Sequence, residues 1–137
     1  MEKKRIVVTG MGVISPIGCD VETFWKSLIE GKSGVGPVTT FDTTGFTATI
    51  AGEASDYNAL DHFDTKKARN LAKFVQYATV ASREAVKNAG LDMTKVDRTR
   101  VGVLVGSGIG AIESAEEEYQ KYLDKGARRI SPHFIPK

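Results

Sequence analysis

Two apolar runs, each ending among glycines, constrain this chain more than any other feature. The first is Arg5-Ile6-Val7-Val8-Thr9-Gly10-Met11-Gly12, continuing through Ser15-Pro16-Ile17-Gly18. The second is Val101-Gly102-Val103-Leu104-Val105, leading into Gly106-Ser107-Gly108-Ile109-Gly110. In neither do apolar residues alternate with polar ones. Strands covered on one face alternate, whereas strands covered on both do not. Residues 5–10 and 101–105 therefore read as interior strands of a parallel or mixed sheet.

Helical signals separate the two runs. Asp20 is placed to cap a helix over 21–30, with Gly31 after its end. Phe24, Trp25 and Leu28 fall at helical spacing, which predicts packing into a core. Residues 32–47 are rich in Gly, Thr, Pro and Ser and read as loop, and 47–53 as a short strand. Asp64 caps a helix that opens Thr65-Lys66-Lys67-Ala68-Arg69. The strongest helical pattern runs from Leu71 to Ala89 and is closed by Gly90. Leu71, Val75, Ala78, Ser82, Ala85 and Ala89 form its stripe, and the small side chains of its second half allow a neighbour to approach closely. A last helix is expected over 111–125, stopped by Gly126. Its acidic start and basic end suit the helix dipole, with Glu117 and Lys121 as an i,i+4 pair. The acidic run at Glu113 and Glu116–Glu118 reads as a solvated face. Strands alternating with helices imply α/β layering in a single domain over 1–137 with no internal boundary.

Composition removes several classes of function. Of 137 residues, 19 are Lys or Arg and 17 Asp or Glu, a net +2 that gives no global attraction to nucleic acid. Apolar runs fall short of the roughly 18 residues a membrane helix needs, so no membrane insertion is expected. One cysteine, Cys19, allows no internal disulfide and fits a cytoplasmic setting. The end of the sequence, Ser131-Pro132-His133-Phe134-Ile135-Pro136-Lys137, carries large apolar residues where domains more often have a polar tail. The expectation is that the chain is truncated, a piece of a longer protein.

Glycine turns after apolar strands first suggest dinucleotide binding, which needs G-x-G-x-x-G or A with a helix starting at once. The first turn has Ser15 and Pro16 where the third glycine and the helix should be. The second satisfies the spacing through Gly106, Gly108 and Ala111 but lacks the later strand ending in an acid, since Asp124 lies in a helical pattern. Glycines that let a turn pack tightly explain both. Cys19 lies beside Asp20, which raises a thiol's pKa, and has no base placed next to it in sequence; it reads as structural rather than nucleophilic. His62 and His133 have no metal-ligand spacing and read as surface or interface residues. No metal or cofactor is implied. Lys66, Lys67 and Arg69 sit at a helix start, where the dipole does not favour cations, which suggests a use for their charge against the default reading of a solvated surface.

Taken in order and spacing, certain residues resemble the β-ketoacyl-(acyl carrier protein) synthases, most like the bacterial synthase II type. They are Val7-Val8-Thr9-Gly10-Met11-Gly12 with Ser15-Pro16-Ile17-Gly18, then Phe24-Trp25, Leu28, Gly31, Ser33-Gly34 and Phe41-Asp42. Next come Gln76-Tyr77, Ala85, Gly90, Gly102 and Gly106–Gly110, and last Arg129-Ile130-Ser131-Pro132. The resemblance covers essentially the whole chain. It implies the thiolase-like fold, two similar α/β halves of which this chain is most of the first, incomplete on its own, in a homodimeric acyltransferase. The implied reaction is a decarboxylative Claisen condensation by one cysteine and two histidines. The family's cysteine lies downstream of the Ser131-Pro132 segment and its histidines later still, so the chain by itself is expected to be inactive, and no catalytic residue is assigned in it.

The resemblance does imply roles for residues that are present. Ile109 corresponds to a residue lining the acyl pocket, and Phe134 to one reaching that pocket across the dimer. Lys66, Arg69, Arg128 and Arg129 correspond to basic positions that dock the acyl carrier protein; Asn70 stands where a further basic residue is expected. Two alternatives remain at this point: a non-catalytic partner subunit of the chain-length-factor type and, further off, a nucleotide-binding oxidoreductase.

Overall fold

The computed structural model describes residues 3–134; Ile135, noted above, lies outside them. The chain divides into two compact units. One comprises the residues up to Tyr57 together with Val80–Arg98, the other Asn58–Thr79 together with the residues from Thr99 on.

In the first unit, α1 (Val21–Ile29) starts where the sequence places it. Asp20 Oδ1 accepts the Thr23 amide at 2.8 Å and its Oδ2 accepts the Thr23 hydroxyl at 2.7 Å. The helix is left through Gly31 at φ +67°. Two short strands follow, β1 (Val35–Pro37) and β2 (Ile50–Gly52), paired antiparallel with Val35 opposite Gly52 and Pro37 opposite Ile50. The second lies in the expected strand; the first lies inside the segment read as loop. Its Gly and Pro content hides it, because the pairing is carried by the backbone and Pro37 falls at the strand's end.

The first apolar run behaves differently from expectation. Residues 5–10 adopt no ladder among the described residues, and Ile6 and Val8 are 95% and 81% exposed. The run is fastened at its glycine end instead, by side chains of α3 (Lys73–Asn88) from that helix's second half. Asn88 Oδ1 accepts the Met11 amide at 3.2 Å. Glu84 accepts the Val13 amide at 2.9 Å through one carboxylate oxygen and the Val21 amide at 2.8 Å through the other. The small-residue stripe of α3 is what admits this segment. A Cβ on Gly10 would fall 2.6 Å from the Ala89 amide nitrogen, and one on Gly12 2.9 Å from that of Ala85, with helix carbonyl oxygens closer still. α3 ends at Gly90, φ +62°. Val80 is buried, whereas Trp25 and Leu28, expected in a core, are exposed and only Phe24 of that trio is half-buried.

In the second unit, Phe63 is buried ahead of α2 (Thr65–Asn70), and α3 begins after Leu71 and Ala72. The second apolar run, 101–105, is also without a ladder among the described residues, and Leu104 is 98% exposed. A strand is stabilised by its partners, and neither run has one among the described residues. The glycine turn then delivers the chain through Gly110, φ +75°, into α4 (Ile112–Lys125), which is left through Gly126, φ +77°.

Candidate functional site

All six residues to which the resemblance gives a role, Lys66, Arg69, Ile109, Arg128, Arg129 and Phe134, fall in the second unit. Lys66 and Arg69 project from α2, one turn apart, and both are exposed. A six-residue helix has little intrinsic stability, so its ends need fastening. Asp64 Oδ1 accepts the Lys67 amide at 2.9 Å at the start, and its other oxygen pairs with Lys67 Nζ at 3.6 Å. These amide contacts hold the Asp64 carboxyl below the usual carboxylate range. At the far end Gln76, buried in α3, donates from Nε2 to the carbonyls of Ala68 at 2.9 Å and Leu71 at 2.8 Å. The capping is thus done by Asp64 and Gln76, and Lys66 and Arg69 enter no ion pair among the described residues.

Ile109 sits in the glycine turn with 76% of its surface exposed. The turn is held by the Gly110 amide, which donates to Ser107 Oγ at 2.9 Å. Beside it a groove of about 250 Å³ runs between the start of α3 and the start of α4, lined by Phe74, Tyr77, Ala111 and Ile112 among others. Lys73 and Glu113 bridge its rim at 3.4 Å. The groove combines apolar walls with a charged edge, and Gly110, next to Ile109, is among its lining residues.

Arg128 and Arg129 lie on a single 3-10 turn, Ala127–Arg129, immediately after α4, and both are exposed. The turn is closed by the Arg129 amide to the Gly126 carbonyl at 3.1 Å. Phe134 follows, half-buried, with its amide donating to the Ser131 carbonyl at 3.0 Å.

One reading of α4 requires correction. The acidic run is not wholly a solvated face: Glu118 is 2% exposed. Its Oε1 accepts Lys121 Nζ at 2.7 Å and its Oε2 accepts the Ser131 amide, also at 2.7 Å. Lys121 thus pairs with Glu118 rather than the expected Glu117, and that hydrogen bond raises the lysine's pKa. The signal for Glu118 was its register: Ala111, Ala115 and Glu118 step by four and three along the covered face of the helix. Gln76 and Glu84 gave similar signals, as polar residues on or beside the apolar stripe of α3.

The other candidates raised by the sequence are Cys19, His62 and His133. Cys19, in the first unit, has its thiol pKa raised by partial burial and by the nearby Asp56 and Asp20, against a lowering contact from the Ser15 backbone. It has the character of a structural thiol. His62 and His133 are exposed. Among the described residues no group of His, Cys, Asp or Glu could hold a metal ion, and no helix is long and apolar enough to cross a membrane.

Comparison with known proteins bears on the chain as a whole. The family model for the beta-ketoacyl synthase N-terminal domain matches residues 3–137. A 3-oxoacyl-[acyl-carrier-protein] synthase 2 of Staphylococcus aureus (strain COL) is 47% identical over 135 residues, 98% of this chain and 33% of its own length. The Vibrio harveyi protein of that name is 41% identical over 99% of the chain. The solved ishigamide ketosynthase/chain length factor superposes on 96% of the chain and 33% of its own with a TM-score of 0.72 at 30% identity. A ketosynthase solved with a type II PKS acyl-carrier protein gives 0.72 at 26% identity, over 97% of this chain and 34% of that one. The architecture is therefore that of the thiolase-like ketosynthases, and the chain spans about a third of the length of the relatives it matches. It belongs to the beta-ketoacyl synthase family, as that family's N-terminal domain.

Proposed function

We propose that this chain is the N-terminal part of a cytoplasmic, homodimeric 3-oxoacyl-(acyl carrier protein) synthase II that elongates fatty acyl chains. In that reaction an acyl group passes from its carrier to an enzyme cysteine. Malonyl carrier protein then loses carbon dioxide, and the carbanion left behind attacks the enzyme thioester. A carbon–carbon bond forms, the carbon–sulfur bond breaks, and the cysteine thiolate is released. The cysteine and two histidines belong to the rest of such a protein; this chain contributes recognition. Lys66, Arg69, Arg128 and Arg129 dock the acidic carrier protein, and Ile109 with Phe134 shapes the acyl pocket.

The observation that carries the reading is the 47% identity to a synthase 2 across nearly the whole chain. The two basic pairs are exposed and enter no ion pair among the described residues, which supports the docking role, since charges meant for a partner stay free of internal ion pairs. The chain-length-factor reading is the weaker one, resting on a structural relative at 30% identity. The test is condensation by the intact synthase using acyl and malonyl carrier proteins, at low and moderate salt. Elongation is expected, and Lys66→Glu with Arg69→Glu should raise the KM for the carrier substrate, more so at low salt. An intact wild-type protein that never condenses these substrates overturns the enzyme reading in favour of a partner subunit.

A further inference from the structure

The buried Glu118 has no part in the chemistry above, yet it is the most enclosed charged side chain among the described residues, at 2% exposure. Burying a carboxylate is costly unless each oxygen finds a donor. Both do, and one donor is informative. Oε1 takes Lys121 Nζ from the same helix, one turn on. Oε2 takes the main-chain amide of Ser131, thirteen residues away, across the segment that carries Arg128 and Arg129.

Among the described residues that segment has few other anchors. It leaves α4 through Gly126, whose amide still bonds to the Tyr122 carbonyl at 2.9 Å. It makes one 3-10 turn, with the Ile130 amide reaching the Ala127 carbonyl at 3.3 Å, and then turns extended at Ile130, φ −64° and ψ 135°. The Glu118–Ser131 bond fixes its far end. The two arginines therefore sit on a turn pinned on both sides. Charged side chains presented on a pinned turn lose less conformational freedom when they dock than the same side chains on a loose loop.

We propose that Glu118 is a positioning residue for carrier-protein docking, its carboxylate holding the Arg128–Arg129 turn against α4 in the geometry the partner meets. The proposal rests on the carrier-docking role given to those arginines above. It makes a distinction that a merely structural residue would not. Losing the tether should weaken use of carrier-borne substrates while sparing the same acyl group on a small thiol.

The experiment compares wild-type, Glu118→Ala and Glu118→Gln in the intact synthase, with one saturated acyl group offered on acyl carrier protein and on coenzyme A. Glu118→Ala is expected to raise the KM for the carrier substrate about ten-fold, as docking geometry is lost, with kcat and the KM for the coenzyme A thioester nearly unchanged. Glu118→Gln keeps an oxygen that accepts the Ser131 amide and should restore the carrier KM to within about two-fold of wild type. If Glu118→Ala does not fold, Ser131→Pro, compared with Ser131→Ala to account for the hydroxyl that accepts the His133 amide at 3.1 Å, removes the donated hydrogen at a position whose predecessor already has pre-proline geometry, and relative to Ser131→Ala it should raise the carrier KM alone. Equal loss with both thioesters, or an unchanged carrier KM, overturns the proposal. If Arg128→Glu with Arg129→Glu itself leaves the carrier KM unchanged, the docking reading fails and takes this proposal with it; if that pair matters and Glu118→Ala does not, only the positioning role falls.

Discussion

At the scale of single residues, three side chains missed as interior polar groups organise much of what is ordered here: Glu84, Gln76 and Glu118. Each satisfies main-chain groups that no helix or ladder satisfies. Glu84 is the simplest case, one carboxylate accepting the Val13 and Val21 amides. Hydrogen bonds to a charged group contribute about 1.5–3 kcal/mol each when buried, and Glu84 is half-buried. Glu84→Ala should cost about 2 kcal/mol, read as a fall in the urea midpoint at unchanged slope; a loss within the error of the midpoint would show that water replaces the carboxylate. Glu53 gives a pH-dependent counterpart. Its carboxylate takes the hydroxyls of Thr39 and Thr40 at 2.6 and 2.8 Å together with their amides. These contacts lower its pKa from 4.5 to about 2. Because the folded value lies below the unfolded one, the stabilisation is fully present above pH 4.5 and is lost as the pH falls toward 2. Thr39→Val with Thr40→Val should flatten that part of the stability–pH curve. An identical slope in the variant would assign the acid sensitivity to other carboxylates.

Elements were legible in the sequence where the signal was local. Asp20 and Asp64 cap helices, and Gly31, Gly90 and Gly126 end them, at the positions expected, because caps act within a few residues of themselves. What the sequence did not show was pairing. The apolar runs at 5–10 and 101–105 have strand composition but no ladder among the described residues, while Val35–Pro37, with poor strand composition, has one. Composition reports what a segment buries in a completed fold; a ladder depends on which backbone lies alongside. For the same reason the family resemblance supplies candidate site residues that are mostly exposed, while the buried Gln76 and Glu118 beside them carry no local signal of their contacts. The small-residue stripe of α3 was read correctly as permitting close approach, and the structure identifies what approaches, the Gly10–Gly12 segment. Gly12→Ala places a methyl group against the main chain of Ala81 and Ala85, where no rotamer change relieves it. It should cost about 1–3 kcal/mol. Gly36→Ala, whose added carbon meets nothing within 4 Å, should stay within about 0.5 kcal/mol of wild type. Equal effects of the two substitutions in urea unfolding would mean that this packing does not contribute to stability.

At the scale of the molecule, the unpaired runs decide how the chain should behave by itself. Ile6, Val8, Val103 and Leu104 are each more than four-fifths exposed, and among the described residues their runs form no ladder. Consecutive exposed β-branched residues with open main-chain groups are the features that promote edge-to-edge association. In the two units the apolar surface around these residues is contiguous along each run, unlike the singly scattered apolar residues normal on a soluble surface. The relatives are about three times as long, and if this chain is part of such a protein, the rest of it is where partners for these runs are expected. The 137-residue chain expressed alone should therefore associate at micromolar concentration and bind a hydrophobic dye, and it should show no condensing activity. Replacing Val8 and Leu104 with Lys should reduce association of the isolated chain, since charged side chains oppose edge pairing. The same pair should destabilise the intact synthase, in which those positions are covered on the reading above. Sedimentation of the isolated chain and urea unfolding of the intact one test the two halves of this expectation. An isolated chain that sediments as a monomer without binding dye would show that the runs are tolerated in water, and stability of the intact variant equal to wild type would show that they stay uncovered there as well.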